Sequence, residues 1–286
     1  MAYRFITKYK DKYGLRWLLR RMKVPVNAYY NYLKNHKKDY SVQKNKIYAE
    51  IKKIYHETGG ILGHRSMRVF LKRQGIILSK TTVHRYMNKD LELFCVCRRK
   101  RPGYKKGNAH ELFSNLLNQN FNVAEKNKVW CADFTYIKLT NGTFRYNCSI
   151  IDLYERCVVA TLTDKWMTSE LAIETLKKAL ESQDVDASKL IFHTDQGVQF
   201  TSLAFTDFCR SKGITQSMSK AGCPYDNAPM ERFYNTMKEE LIYRYNFHTD
   251  EELNRAISEY VYVWYNQVRP HSYNDYMTPM DARKLG

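Results

Sequence analysis

The chain has 286 residues, of which 44% are hydrophobic, a length that suggests roughly two domains, each able to bury its own core. Its charge is unevenly placed: residues 1–110 hold 28 Lys and Arg against 6 Asp and Glu, while the remainder holds 19 against 23, which reads as a polyanion-binding arm joined to a domain that uses its carboxylates for something else. No stretch of 18 apolar residues occurs, the first 25 residues carry eight Lys and Arg, and the seven cysteines form no C-x-x-C pair, so a membrane span, an export signal and a zinc site are excluded and a soluble cytoplasmic chain with reduced thiols is expected. Cys95 and Cys97 are the only close pair.

Leu15, Leu18, Leu19 and Met22 at helical spacing predict a helix, broken at Lys23–Val26 and resumed up to Lys34, a first candidate helix-turn-helix. A clearer candidate follows. Ile47, Ile51, Ile54 and Tyr55 share one helical face and stop at Gly59-Gly60, a short helix carries Met67, Phe70 and Leu71, and Ser79 is placed to cap a third helix whose inward face is Val83 and Met87. On that third helix Lys80, Thr81, Arg85 and Asn88, with His84 beside them, point away from the core, as a recognition helix presents side chains to bases and phosphates. A three-helix bundle with a solvated basic face has the same pattern, and the surrounding charge favours DNA. The run RRKRPGYKK over 98–106 reads as a linker that either tracks a phosphate backbone or is simply solvated.

The texture then becomes α/β. Val129–Leu139 and Phe144–Leu153 read as strands joined at Asn141-Gly142, followed by a strand at Cys157–Thr163, a helix at Ser169–Gln183, a buried strand at Lys189–His193, a helix at Leu203–Lys212 and a strand at Thr215–Ser219. Three antiparallel strands followed by helix, strand, helix, strand and helix is the order of a ribonuclease H-like domain: a mixed five-stranded sheet with flanking helices, here preceded by an all-α region.

Three acids stand where strands carry or release the chain, or where a helix begins. Asp133 lies inside the apolar strand VWCADFTYI, Asp195 follows LIFHT at a strand exit, and Glu231 sits on the helix of DNAPMERFYNTMKEEL, at the border of a buried face made by Met230, Phe233, Tyr234 and Met237. Asp226 or Asn227 is expected to cap that helix. Three converging carboxylates repel one another unless divalent cations lie between them, and hard oxygen donors favour Mg²⁺ or Mn²⁺. Such a pair of ions is a template for in-line displacement at a phosphodiester.

Asp133 and Asp195 are separated by 61 residues and Asp195 and Glu231 by 35, a spacing that resembles the DD(35)E arrangement of retroviral integrases and related transposases. HTDQGVQFTS (193–202), SMSKAGCPYDNAPME (217–231), YNQVRPH (265–271) with Thr278-Pro279, and NLLNQNF (115–121) are similar to the downstream-frame transposase of insertion sequence family three. The resemblance covers nearly the whole chain. It implies a transposase that cleaves DNA at the ends of its element and joins the freed 3′ hydroxyl to new DNA, with Asp133, Asp195 and Glu231 as metal-binding catalytic residues. It also implies an upstream-frame DNA-binding partner or fusion, and oligomers on DNA. The implied organisation is a helical DNA-binding region over 1–97, a basic linker over 98–124 and an integrase-like catalytic domain with a helical tail over 125–286. A chemically inert DNA-binding regulator and a ribonuclease H-like nuclease are the alternatives, and the intact acids and the tail motif weigh against them.

Among the remaining polar residues, Lys238 lies two helical turns past Glu231 on nearly the same stripe, where a cation meets phosphate. His193 is expected to be a satisfied structural histidine. Asp152 is expected to pair locally with Arg156 or serve a turn. Asn266, Arg269 and His271 either touch DNA or tie the tail to the domain.

Overall fold

In the computed structural model residues 2–34, 36–95 and 111–285 are described, and contacts divide the chain into two units, Met1–Cys95 and Val96–Gly286. The basic run 98–106 and Cys97 lie outside the described residues. Among the described residues no helix is long and apolar enough to cross a membrane.

The first unit is helical: α1 (Ala2–Tyr13), α2 (Leu15–Arg21), α3 (Val26–Leu33), α4 (His36–Glu57), α5 (His64–Arg73) and α6 (Lys80–His84), with α6 continuing in a wider π winding over Arg85–Asp90. Leu18 and Leu19 of α2 are buried with Tyr29 of α3 and Ile6 of α1. Helix α1 lies outside the elements read from the sequence; it buries Ile6 and packs the partly buried Tyr3 and Tyr9 beside it, a mostly aromatic stripe interleaved with Lys and Arg. In the second set of helices the expected inward residues Ile51, Ile54, Met67, Leu71, Val83 and Met87 are buried, while Ile47, Tyr55 and Phe70 are half-buried. Helix α4 starts well before Ile47 because its first turns are polar and have no apolar period to announce them. Gly60 ends it: at φ 76° its N–H reaches back to the Tyr55 carbonyl at 2.8 Å, a conformation glycine adopts without strain. Ser79 caps α6 as expected, its hydroxyl accepting from the Thr82 N–H at 3.1 Å.

The second unit is built on five strands, β1 (Val129–Lys138), β2 (Phe144–Asp152), β3 (Val158–Asp164), β4 (Ile191–Thr194) and β5 (Thr215–Met218), in the spatial order β3-β2-β1-β4-β5. The β1–β2 and β2–β3 pairs are antiparallel and the β1–β4 and β4–β5 pairs parallel, as the strand and helix order predicted. Alternation along β1 sends Cys131 and Ile137 to one face and Trp130 and Ala132 to the other. The second face is covered by α7 (Ser169–Ser182), the short α8 (Val198–Thr201) and α9 (Leu203–Ser211); the first by α10 (Ala228–Met237), which continues as a π winding over Lys238–Ile242, and by α11 (Asp250–Ser258), which continues likewise over Glu259–Val268. A last helix, α12 (Pro279–Leu285), closes the chain. Of the expected linker 98–124, residues 111–124 pack on this unit through Phe113, Leu117, Phe121 and Val123.

Candidate active site

Asp133 has the parity of Cys131 and Ile137, so it rises from the face of β1 that α10 covers. Burying a carboxylate there is costly, and one of its oxygens accepts the Phe134 N–H at 2.7 Å. The backbone around it is pinned from the helix: the Tyr234 hydroxyl lies 2.7 Å from the Asp133 carbonyl and 3.1 Å from that of Asn147.

Asp195 follows the last residue of β4 and is exposed. Its carboxylate accepts the Gly197 N–H at 2.9 Å, and a Cβ on Gly197 would stand 2.8 Å from that same oxygen. A side chain at 197 would therefore push the Asp195 carboxylate away from this position, which gives glycine a role in the Asp195-Gln196-Gly197 string.

Glu231 occupies the first turn of α10, where the helix dipole favours a negative charge. Met230, Phe233, Tyr234 and Met237 are buried as the helical spacing predicted. The expected caps, however, do something else. Asn227 sits at the N-cap without a side-chain cap bond; its amide instead donates to the Ala132 carbonyl, next to Asp133, at 3.1 Å. Asp226 accepts from the Lys220 N–H, Asn115 and Gln119 at 2.8–2.9 Å, which gives the NLLNQNF string its purpose. His193 is fully buried and contacts the Ser217 and Ser219 hydroxyls and the Asp226 carbonyl, the last at 2.9 Å. Burial lowers its pKa, against the smaller opposing effect of Asp226, so it serves as a neutral strut. These bonds join β1, β4 and the entry to α10, the three elements that carry the acids. Sequence reasoning missed Asn115 and Gln119, whose only signal was the motif itself.

The acids share one electrostatic environment. Burial pushes Asp133 well above the usual carboxylate range, the charges of Asp195 and Glu231 push it further, and the Phe134 N–H and the Lys238 ammonium pull it back. The donor chemistry, hard carboxylate oxygens disfavoured as anions until a cation joins them, suits Mg²⁺ or Mn²⁺. The three side chains are not closed into a ligand cluster: among the described residues no group of three His, Cys, Asp or Glu is gathered closely enough to hold a metal ion.

Asp152 is buried away from this group and accepts from the Asn127 and Tyr154 N–H groups and from Arg283 of α12 at 3.0 Å. Its ionic partner is thus Arg283 rather than Arg156, which stacks on Tyr273 at 4.0 Å. Arg283 also binds Glu155, so one guanidinium serves two buried carboxylates. Burial, then the Asp152 charge, push Glu155 up to about 7 despite Arg283. A raised folded pKa means that the native state holds this proton more tightly than the unfolded chain does. Its stabilising effect is therefore complete below the ordinary Glu range and is lost as pH rises through about 7. Stability should fall by up to about 3 kcal/mol across that window, and Glu155→Gln should flatten the slope in urea titrations run at several pH values. An unchanged slope would remove Glu155 as its source.

The tail motif resolves into ties. Asn266 bonds both the N–H and the carbonyl of Val158 at 3.0 and 2.9 Å, His271 accepts the Tyr273 N–H at 3.3 Å, and Arg269 grips Glu240 through three nitrogen–oxygen contacts of 2.9–3.1 Å. Asn274, buried, donates to the Glu155 carbonyl at 2.7 Å.

In the first unit Lys80, Thr81, His84 and Arg85 are exposed and Asn88 is half-buried. His64 packs edge-on against His84 at 5.0 Å, and its pKa is lowered by burial and then by the charges of His84, Arg65 and Lys80.

Residues 123–224 and 212–279 match the integrase core domain, and residues 43–101 match an HTH-like domain. The chain is 34% identical over 260 residues to the 31 kDa protein of insertion element IS600 from Shigella sonnei, covering 90% of this chain and 94% of that one. It is 35% identical over 244 residues to the transposase for IS904 from Lactococcus lactis subsp. lactis strain IL1403, covering 85% and 95%. With the transposase InsF for IS3A of Escherichia coli K12 it shares 25% identity over 281 residues, 98% of this chain and 97% of that one. A mixed five-stranded sheet of ribonuclease H-like order behind an HTH-like region, and relatives aligned nearly end to end, lead to one conclusion: this chain belongs to the insertion-sequence transposases of family three, DNA-transposing enzymes with an integrase-type catalytic core.

Proposed function

We propose that Asp133, Asp195 and Glu231 are the catalytic residues of this transposase and that together they hold Mg²⁺, for which Mn²⁺ can substitute. The observation that supports this most directly is that Asp133, forced into a desolvated position on β1, feels both other acids although they lie 62 and 98 residues further along the chain. When bound, the divalent ions activate an attacking oxygen and neutralise the charge that builds on a phosphodiester. The chain's own residues fix the geometry. Tyr234 and Asn227 hold the backbone beside Asp133, Gly197 lets its N–H orient Asp195, and the His193–Asp226 contact sets the start of the helix bearing Glu231. Because water and a DNA 3′ hydroxyl are interchangeable nucleophiles in such a site, one set of residues serves both cleavage and joining. Incubating the protein with Mg²⁺ and labelled element ends separates the possibilities: joined products support this reading, cut products alone indicate a nuclease, and binding alone indicates a regulator.

DNA is engaged, in this proposal, by the region 1–97 through Lys80, Thr81, Arg85 and Asn88, with Lys238 meeting phosphate beside the triad and the basic stretch from 98 linking the two. The exposure of Lys80 and Arg85 supports it. Lys80→Ala and Arg85→Ala should each lower the slope of log affinity against log salt by about 1 if they neutralise one phosphate apiece. An unchanged slope in fluorescence-anisotropy titrations would return them to solvated surface. Pairing two element ends calls for oligomers on DNA, and an upstream-frame partner or fusion would supply further contacts to the terminal repeats, in the cytoplasm and at the nucleoid.

A further inference from the structure

Strand β1 is paired on both sides only as far as Cys131; its ladder with β4 joins Val129–Ile191, Trp130–Phe192 and Cys131–His193 and then stops. From Ala132 onward β1 has β2 alone as a neighbour, so the stretch that begins with Asp133 forms an open rim. Three residues along this rim, with the opposite strand parity to Asp133 and so rooted on the α7–α9 side of the sheet edge, stands Tyr136, 42% exposed, with Phe144 of β2, 45% exposed, edge-on against it at 5.9 Å and 75°. The Lys238 ammonium lies 4.7 Å from the centre of the Tyr136 ring, and the same ammonium is close enough to Asp133 to act on its charge.

We propose that Tyr136, flanked by Phe144 and Lys238, is a stacking platform for an unpaired nucleobase of the DNA strand whose phosphodiester lies at Asp133. An aromatic ring left half-open at a sheet rim offers an apolar flat face, and every base has a complementary one, so such stacking needs no particular sequence. Lys238 selects the occupant: a cation held over the ring, within reach of the acids, matches a nucleotide's phosphate and repels a basic peptide. Unstacking a base at an element end opens the path of the scissile phosphate to a site sunk against the sheet, and a second π surface offsets the cost of leaving the duplex. The inference rests on the reading of Asp133 as the reacting centre and adds to it a base-binding function for residues outside the three acids.

The probe is a duplex of the element's own end carrying 5-iodouracil in the transferred strand beside the scissile phosphate. It is irradiated with the full-length protein and no added divalent ion, so that crosslinking to a stacked ring is read without any chemistry. The crosslink should map to Tyr136, persist in Tyr136→Phe and disappear in Tyr136→Ala, with unchanged thermal midpoints as the control for folding. Joining of fully paired ends should fall about tenfold or more in Tyr136→Ala, and ends mispaired at that position should recover most of the loss, which a structural defect would not allow. A crosslink that maps away from Tyr136 and Phe144, or a defect equal on paired and mispaired ends, would overturn the proposal and assign these rings to a protein contact. Asp133→Asn should keep the crosslink while losing chemistry; if it instead keeps chemistry, the reading of the triad fails while the crosslink still decides the platform.

Discussion

Asp133→Asn, Asp195→Asn and Glu231→Gln are each expected to reduce cleavage and joining of element ends on the order of 10³-fold or more, while the fold and binding to those ends survive. Each substitution keeps the shape of the side chain and removes a negative charge. The backbone ties around the three acids run through the Tyr234 hydroxyl, the Asn227 amide and the His193 ring, none of which is touched. Because the three acids serve one charge centre, the losses should not add: Asp133→Asn combined with Glu231→Gln should be hardly slower than either alone. Stability provides an independent readout. In metal-free protein Asp133 is a desolvated charge repelled by two others, so Asp133→Asn should raise the thermal midpoint, by roughly 2–4 °C for each kcal/mol relieved. It should also abolish the extra protection that Mg²⁺ gives the parental protein. A variant that joins ends at the parental rate would remove that residue from the catalytic set. A lowered midpoint in Asp133→Asn would mean that the carboxylate has a structural role its field does not reveal.

What could be read from the residues follows the range of the interactions. The strands were legible because alternation is a local property: Val129–Leu139, which carries Asp133 within VWCADFTYI, reads as a strand and forms β1 (Val129–Lys138). The apolar stripe of α10 was legible for the same reason. The polar first turns of α4 were not, because they leave no apolar period; α1 was not either, because its stripe of Tyr3, Ile6 and Tyr9 is mostly aromatic and interleaved with basic residues. Polar residues were read worst, because their partners are distant. Asp226 and Asn227 have the residue types and position of caps, yet Asn227 bonds Ala132 and Asp226 bonds Asn115 and Gln119, about a hundred residues away. Arg156 stands next to Glu155 in sequence and still loses Asp152 to Arg283. At Asp226 and Asn227 the local rule yields to long-range bonds that tie together the elements carrying the acids, whereas Asp152 keeps its turn role by accepting the Tyr154 N–H and adds Arg283 to it.

The tie with the largest expected effect on stability is Glu240–Arg269. Glu240 lies nine residues beyond Glu231 on the same continuous helical run, its side chain 10% exposed, and accepts from Arg269, Tyr260 and Trp264. Burial alone would lower the pKa of the Arg269 guanidinium; Glu240 outweighs burial and raises it. Removing one partner leaves the other charged and enclosed, so Arg269→Ala should cost about 3–5 kcal/mol in urea denaturation of the full-length protein. Glu240→Gln should cost less, since the amide still accepts from Tyr260 and Trp264. The double variant Glu240→Gln with Arg269→Met should recover part of the single Arg269 loss, because no buried charge is then left unpaired. The pair clamps the α10 run to the α11 run, so variants that remain folded should join ends more slowly at saturating DNA, through a displaced Glu231, with little change in DNA affinity or in its salt dependence. That last measurement separates a clamp from a DNA contact. If Arg269→Ala leaves denaturation unchanged and instead weakens DNA binding with a shallower salt slope, Arg269 faces phosphate in solution and the ion pair does not hold the tail.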